Sequence, residues 1–409
     1  MHHNTTRHER HRHRAPHLRD GLIVAKVGNR AKRDPLFPRI CKAATLLALL
    51  VTPTLTRAQW DIQDSHTTAS LRGIANVGGG VAWASGTEGT VLRTEDGGYL
   101  WQGCAIPPGA EKLDFRGIQA FDENTAIVMS SGKGDLSRLY KTTDGCRTWK
   151  LILTNPDKDG FWDAIVFNDR QKGSLLGDPV SIPGQPSYAF AFFQTSDGGD
   201  TWVALHQNRQ LRRIYAAEAD DAIFAASNSS LLVAPSTYTS PMFVTGGTHP
   251  KVFTDAQPTF WSGPGGRPPA IVTAGNSSPL PLAAGKSAGA FSIATGHGKF
   301  VIVGGDYTKP NETKGTAAFE GNFPAFFEPY APPRGYRSAV AYDEKTKTWI
   351  TVGPNGTDIS RDDGKNWSPL KPTASEPPDA EKNWNALSLP FVVGPHGRIG
   401  KLRADAFKP

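Results

Sequence analysis

The sequence predicts an all-β fold, a seven-bladed β-propeller whose ring is closed by an N-terminal strand near Trp60. Three observations predict it: a turn motif that occurs four times, a short strand register that occurs seven times, and the composition. The chain has 43 Gly, 32 Pro and 10 Trp in 409 residues, which suits many short strands joined by tight turns. A repeat of roughly 40–50 residues is typical of propeller blades.

The turn motif is Ser/Thr-x-Asp with a glycine within the next two residues and a tryptophan five residues after the aspartate. Its four aspartates are Asp96, Asp144, Asp197 and Asp362. A short carboxylate accepts hydrogen bonds from the amides of a turn, and glycine adopts the positive φ that such a turn needs. The tryptophan begins the next strand and buries a large apolar surface. We therefore expect these aspartates to stabilise turns and not to act as paired catalytic acids.

The spacing of the four aspartates, 48, 53 and 165 residues, places two degraded copies of the turn between the third and the fourth. The candidate segments are 252–261 and 319–323.

The second repeat is a four-residue inner-strand register with apolar first and fourth positions. Its second positions are Arg72, Arg116, Asp163, Arg212, Phe291, Arg337 and Asn385. Successive steps are 44, 47, 49, 79, 46 and 48 residues, and we interpret the Pro/Gly/Ser-rich stretch 262–289 inside the long step as a loop insertion. Apolar runs such as 222–226 are interpreted as second strands. Seven registers predict seven blades.

Closure of the ring is expected at the two ends of the propeller. The strand-like segment 398–402 is followed by neither an Asp turn nor a tryptophan. Trp60 can supply the missing outer strand, so we expect residues 59–63 to pair with 399–403. Such pairing removes the exposed strand edges that an open sheet would carry.

Residues 1–58 read as an N-terminal extension and signal peptide, and residues 59–409 as one propeller. Arg39 and Lys42 precede an apolar run at 43–51, which is too short to span a bilayer. We expect cleavage after Ala58, export to the periplasm or the extracellular space, and no membrane span afterwards. The His/Arg-rich start is either a metal-binding tail or a disordered extension.

The basic charge of the chain belongs to this leader. Residues 1–58 hold 12 Lys/Arg against 3 Asp/Glu, which leaves 33 against 35 for residues 59–409 out of the totals of 45 and 38. A nucleic-acid partner is therefore not expected. Cys104 and Cys146 remain after cleavage, and the sequence leaves open whether they form a disulfide. The remaining histidines lack metal-ligand spacing, so no metal or cofactor is expected.

The Asp turns and several further segments carry a resemblance to a known family. These segments are the Arg-Gly-Ile inner strands and residues 86–98, 303–307, 335–340 and 352–358. The chain resembles the BNR/Asp-box β-propellers of the photosystem II stability/assembly factor-like family. This resemblance implies a non-enzymatic assembly helper that holds a membrane-protein subunit through an arginine-rich surface. The implied partner is a protein or peptide, an envelope subunit being one class, and the chain is expected to be a monomer.

The candidate binding site follows from the inner-strand register. If its second positions face the axis, a cluster forms there that comprises Arg72, Arg116, Arg212, Arg337, Asp163 and Asn385. Arginine is suited to bidentate binding of carboxylates, so an anion or peptide-carboxylate site at the channel mouth is one interpretation. The alternative is that these residues anchor adjacent blades through local hydrogen bonds.

Three functions are weighed. The first is a non-catalytic exported binding or assembly propeller. The second is a sialidase-like glycoside hydrolase, because sialidases clamp a sugar carboxylate with arginines, although no Tyr/Glu pair can be placed. The third is a structural module of the cell envelope. Fold by itself does not decide among them.

Overall fold

In the computed structural model, the described part of the chain consists of β-strands joined by turns and loops. A single 3₁₀ turn, Gly134–Leu136, interrupts the strands of this part of the chain, and no helix in it is long and apolar enough to cross a membrane. The predicted signal peptide and the cleavage after Ala58 lie outside the described residues. The residues described are 59–182, 184–208, 216–233, 241–254, 260–261, 270–271, 276–374 and 376–407.

The first three blades are antiparallel sheets whose strands follow one another from the axis to the rim. Their second strands are buried almost throughout, because each sheet packs between two neighbours. Blade 1 consists of Leu71–Gly78, Val81–Gly86, Val91–Thr94 and Gln102–Gly103. Blade 2 consists of Phe115–Ala120, Ala126–Ser130, Arg138–Thr142 and Lys150–Thr154. Blade 3 consists of Trp162–Phe167, Gly173–Ser181, Tyr188–Thr195 and Val203–Ala204, with Ala216–Ala217 also paired to its third strand.

Blades 4 and 5 share the region that carries no matching Asp turn. Blade 4 consists of Leu231–Val233, Pro241–Val244, Lys251–Thr254 and Asn276–Pro279. Blade 5 has six strands, from the axis outward Asp221–Ala222, Gly246–Gly247, Gly285–Gly296, Lys299–Asp306, Ala317–Glu320 and Phe326–Phe327. A separate hairpin pairs Phe260–Trp261 with Ala270–Ile271.

Two expectations need correction in this region. The stretch 262–289 is not one loop, because the outer strand of blade 4 and the start of a blade 5 strand lie within it. Residues 222–226 are not a second strand, since only Ala222 belongs to one and the rest pass along the axial cavity. The innermost strand of blade 4 is Leu231–Val233. The register placed at 211–214 lies outside the described residues.

Blades 6 and 7 complete the seven-bladed ring. Blade 6 consists of Ala339–Asp343, Thr348–Gly353, Gly356–Ser360 and Ser368–Pro369. Blade 7 consists of Ala386–Ser388, Phe391–Val393, Ile399–Leu402 and Trp60–Gln63. The last pair runs antiparallel with Trp60 opposite Leu402 and Gln63 opposite Ile399. The predicted seven-bladed propeller with ring closure near Trp60 is therefore confirmed.

The four Asp turns share one set of hydrogen bonds between the third and outer strands of blades 1, 2, 3 and 6. In the second of them the Thr142 hydroxyl donates to Asp144 at 2.9 Å, and the Thr148 amide donates to the same carboxylate at 3.0 Å. The Cys146 amide donates to the Thr142 hydroxyl. The hydrogen bonds from Thr148 lower the pKa of Asp144 to about 2. These aspartates are committed to turns at the rim, far along each sheet from the inner strands.

A disulfide joins Cys104, just after the outer strand of blade 1, to Cys146 in the Asp turn of blade 2. Both residues belong to the apolar layer between these two blades, together with Trp83 and Trp149. The pairing that the sequence left open is thus present, and it cross-links two neighbouring sheets.

Candidate functional site

The inner strands surround an axial cavity of about 600 Å³. Its wall has a polar side, contributed mainly by blades 1, 2, 3 and 7, and an aromatic side, contributed mainly by blades 5 and 6. The segment 222–226 forms a further part of the wall. A concave space with a few convergent polar groups beside apolar surface is the usual form of a binding site.

β-Bulges place the polar side chains. In blades 1, 2 and 3 the pairing of the first two strands skips one residue, so that Arg72, Arg116 and Asp163 each lie outside the ladder. A bulge redirects the extra side chain relative to its neighbours, and all three line the cavity. Asn385 of blade 7 lines it too, while its side-chain amide donates to the Leu71 carbonyl at 2.7 Å. The structure thus brings four of the six candidate binding residues together.

Arg72 and Arg116 share one carboxylate, that of Asp114. The Arg116 Nε donates to Asp114 Oδ2 at 2.8 Å, and Arg72 Nε lies 3.9 Å from Asp114 Oδ1. Arg72 Nε has no hydrogen-bond partner among the described residues. Burial lowers the pKa of Arg72 and the Asp114 carboxylate opposes this, yet a guanidinium stays charged in proteins. Arg116 also donates from Nη1 to the Ala225 carbonyl at 3.3 Å. Two cations and one anion leave a net positive charge at the cavity wall.

Two further carboxyl groups belong to the cavity wall. Burial raises the pKa of Asp163 well above its usual value, the nearby Asp178 carboxylate raises it further, and Arg116 opposes the shift. Neither oxygen of Asp163 makes a hydrogen bond within the described part of the chain. Burial also raises the pKa of Asp178 to about 6, although the Ile223 amide donates to it at 2.8 Å. Burial and the neighbouring Asp178 carboxylate thus both disfavour the charged form of Asp163.

Arg337 is not part of the cavity, which corrects the expectation drawn from the register. Its side chain is fully buried inside blade 6 and binds the equally buried Asp358 carboxylate, which Arg334 also contacts at 3.1 Å. The pairing of blade 6 begins only at Ala339 and runs without a register shift, so no bulge turns Arg337 toward the axis. Tyr336 lines the cavity in its place. Arg212 lies outside the described residues.

The aromatic side of the cavity was not predicted. It consists of Phe224, Phe291, Tyr307 and Tyr336, with Lys286 exposed nearby. Phe291 occupies the second register position of blade 5 and lies at a bulge, as the arginines do. An apolar residue at that position is the feature of the sequence that could have indicated an apolar side of the cavity. The other three rings come from separate segments that only the fold brings together.

A short segment after residue 226 joins several blades across the axis. The Asn228 side chain accepts from the Ile165 amide at 2.8 Å and donates to the carbonyls of Ile118 and Ile165 at 3.3 and 3.0 Å. Ser227 and Ser229 bond to blades 6 and 5. Blades 2, 3, 5 and 6 therefore meet at this segment, which fixes the position of the cavity wall.

In the part of the chain that the structure describes, no group of three or more His, Cys, Asp or Glu side chains could hold a metal ion. The cavity instead presents guanidinium groups, carboxyl groups, a side-chain amide and aromatic surface. This set can bind a partly apolar group that carries a carboxylate.

The chain is similar to known proteins in part of its sequence and in its fold. No family model matches the chain. The photosystem II assembly lipoprotein Ycf48 of Picosynechococcus sp. is 28% identical over 223 residues, covering 42% of this chain and 61% of that relative. The chain thus spans about three fifths of the length of this curated relative.

Two solved structures have similar folds. One, of Ycf48 bound to a D1 peptide, superposes with a TM-score of 0.57 at 17% identity, over 86% of this chain and 99% of that chain. Ycf48 from Cyanidioschyzon merolae superposes with a TM-score of 0.54 at 17% identity, over 85% and 100%.

The fold and the cavity define a class, that of seven-bladed β-propellers with an axial cavity lined by arginine. Within that class the sequence comparison points to one branch. The chain is similar in sequence to the photosystem II assembly lipoprotein Ycf48, which agrees with the family resemblance noted in its sequence.

Proposed function

We propose that the chain is a non-catalytic propeller that binds a protein or peptide through the axial cavity. The single observation that carries this proposal is the pair Arg72 and Arg116, held on one carboxylate of Asp114 at the cavity wall. The two guanidinium groups have more N–H donors than the Asp114 carboxylate accepts. A carboxylate is the ligand group that matches these donors. Asp163 lines the same wall.

The comparisons support a peptide partner. A similar propeller, Ycf48, has been solved with a D1 peptide bound, and the curated relative is an assembly lipoprotein. Neither comparison favours the glycoside hydrolase alternative, and no glutamate lines the described part of the cavity. The proposed role is assembly or stabilisation of a partner protein, which for this chain includes an envelope or membrane-protein subunit.

Export forms part of the same proposal. The apolar run 43–51 behind Arg39 and Lys42 supports a signal peptide, and a disulfide between Cys104 and Cys146 suits an oxidising compartment outside the cytoplasm. Sequencing of the N-terminus of exported protein is expected to begin at Gln59; a start well inside the propeller contradicts this expectation.

The test is a fluorescence anisotropy titration with a labelled heptapeptide that carries one glutamate and blocked ends. Arg72→Ala removes the guanidinium with the looser contact to Asp114, so the Arg116 ion pair and the fold should persist. We expect binding to weaken by about 10- to 100-fold, the range for one hydrogen bond to a charged group. The same peptide with glutamine in place of glutamate should bind wild type as weakly.

The matched control is Arg170→Ala. Arg170 also pairs with a single aspartate, Asp122 at 2.8 Å, but on the outside of the propeller. It should leave peptide affinity unchanged. Equal affinity of wild type and Arg72→Ala for the glutamate peptide would end the proposal.

A further inference from the structure

Four aromatic rings, Phe224, Phe291, Tyr307 and Tyr336, form one side of the axial cavity, and we call this set the aromatic wall. Phe224 and Phe291 stack face to face, with centroids 4.0 Å apart and planes 2° from parallel. Tyr307 packs edge-on against both at 6.2 Å. Phe291 meets Tyr336 edge-on at 4.8 Å. The four rings therefore hold one another in place.

The wall depends on the two extra strands of blade 5. Gly246 and Gly289 lie where these strands pair with the main sheet. A Cβ at Gly289 would come within 2.1 Å of the Gly246 backbone, and a Cβ at Gly246 within 2.2 Å of the Phe224 ring. Glycine at both positions allows the backbones to approach, and this approach brings Phe224 onto Phe291. The wall is thus a product of the same region that interrupts the regular spacing of the repeats.

The aromatic wall is accessible from the cavity and is not wholly part of the buried core. Tyr307 is 51% exposed, and Phe224 is half-buried and faces the cavity. Tyr336 is the buried end of the aromatic wall and packs on Phe291. It also lies close enough to Arg72 and Arg116 to interact electrostatically with both guanidinium groups, so it connects the wall to the polar side of the cavity. Apolar surface that borders cationic donors within one cavity matches a ligand with both kinds of group.

We propose that the aromatic wall is a specificity subsite for one apolar side chain of the peptide whose carboxylate Arg72 and Arg116 bind. The inference rests on the proposed function and extends it from any acidic peptide to one with an aromatic or large aliphatic residue beside the acid. Burying that side chain against the wall removes apolar surface of both partners from water. Stacking or edge-on contact with the rings adds to this gain.

The experiment uses two labelled heptapeptides of equal charge that differ only in the residue beside the glutamate, phenylalanine or alanine. Wild type is expected to bind the phenylalanine peptide about tenfold more tightly. Tyr307→Ala should remove this preference, so that the variant binds the two peptides with equal affinity. Tyr307→Phe, which keeps the ring, should retain the preference. Tyr99→Ala is the matched control, because Tyr99 is 91% exposed and does not line the cavity.

The two proposals fail in different ways. If wild type binds both peptides equally, or if Tyr307→Ala keeps the preference, the subsite is wrong, whereas the arginine site stands as long as Arg72→Ala weakens both peptides. If Arg72→Ala weakens neither peptide, or wild type binds neither, the proposed function fails and this inference fails with it. Because Tyr307 is half-exposed, its loss should not unfold the chain, and an unchanged melting temperature checks this.

Discussion

Asp178 shows how a single carboxyl group in the cavity wall affects stability. Burial raises its pKa to about 6 in the folded chain, against about 3.9 in an unfolded one. Folding therefore takes up a proton between these values, so stability falls as the pH rises from about 4 to about 6 and stays lower above that. This difference in the pKa of Asp178 corresponds to at most about 3 kcal/mol of unfolding free energy.

Asp178→Asn is expected to stabilise the protein above pH 6. Asparagine does not titrate, and its side-chain oxygen can still accept from the Ile223 amide. The gain in unfolding free energy should shrink to nothing near pH 4, which urea unfolding between pH 3.5 and 8 can measure. Asp159→Asn serves as control, since its pKa is lowered by Lys133 and no gain should appear. Parallel wild-type and Asp178→Asn curves would contradict the argument.

Four of the six candidate binding residues line the cavity as the residue pattern predicts, whereas the pattern does not predict the aromatic wall. Arg72, Arg116 and Asp163 occupy equivalent positions of a repeat. The single inference that this position faces the axis therefore applies to all three. Arg337 breaks the rule because its blade lacks the bulge and supplies the carboxylate of Asp358. The partner Asp114 is two residues before Arg116, but nothing in the pattern says that one carboxylate serves two blades.

At the scale of the element, the Asp turns are the feature from which the positions of the third and outer strands could be predicted. Where the turn motif is intact, in blades 1, 2, 3 and 6, its position correctly marks the passage from the third to the outer strand. In blade 5 the corresponding turn follows Ala317–Glu320, as the spacing indicates. The extra strands Asp221–Ala222 and Gly246–Gly247 have two residues each and pair only with residues distant in sequence, so no local period reveals them.

The disulfide between blades 1 and 2 should contribute measurably to stability. A cross-link between Cys104 and Cys146, 42 residues apart, restricts the unfolded chain, and such bonds are typically worth about 2–4 kcal/mol. We expect reduction to lower the unfolding free energy by this amount and Cys104→Ser/Cys146→Ser to behave like the reduced protein.

A second pair of variants separates the cross-link from the turn that contains it. Cys146 adopts a φ of 63°, whereas the corresponding residue in each of the three other Asp turns is a glycine with positive φ, namely Gly98, Gly199 and Gly364. Cys104→Ser/Cys146→Gly should therefore be about 1 kcal/mol more stable than the double serine variant, because glycine accepts this φ without strain. Both double variants should be insensitive to reductant. A wild type equally stable with and without reductant would contradict a contribution from the bond.

For the whole molecule, the count of blades and the closure of the ring could both be predicted. Seven registers gave the right number even though one of them was placed outside the inner strand of blade 4, Leu231–Val233. The predicted number of blades is correct because the extra residues lie between blades and within one blade. They lengthen the spacing between registers without adding a sheet. Closure could be inferred because a ring of equal sheets needs an outer strand after Ile399–Leu402, and Trp60 is an aromatic anchor for it.

The closing strand should therefore stabilise the whole ring. Trp60 is buried, packs on Trp384 with centroids 5.9 Å apart, and its amide donates to Glu376 at 2.6 Å. Trp60→Ala should cost about 3–5 kcal/mol, as for other large-to-small core changes, and lower the melting temperature. Ile62→Ala, on the same strand but 39% exposed, should cost much less and leave the pairing with Ile399–Leu402 intact.

Deletion of residues 59–63 tests closure itself. It removes every pair between the first and last strands and leaves the Ile399–Leu402 edge open, which invites pairing with other chains. We expect a loss at least as large as that of Trp60→Ala, together with concentration-dependent association in light scattering. Hydrogen exchange should accelerate first in blade 7 and its neighbours, because a ring that is no longer closed can open from that edge. A deleted protein that stays monomeric and melts at the wild-type temperature would mean that the other six sheets hold the ring without the seventh being complete.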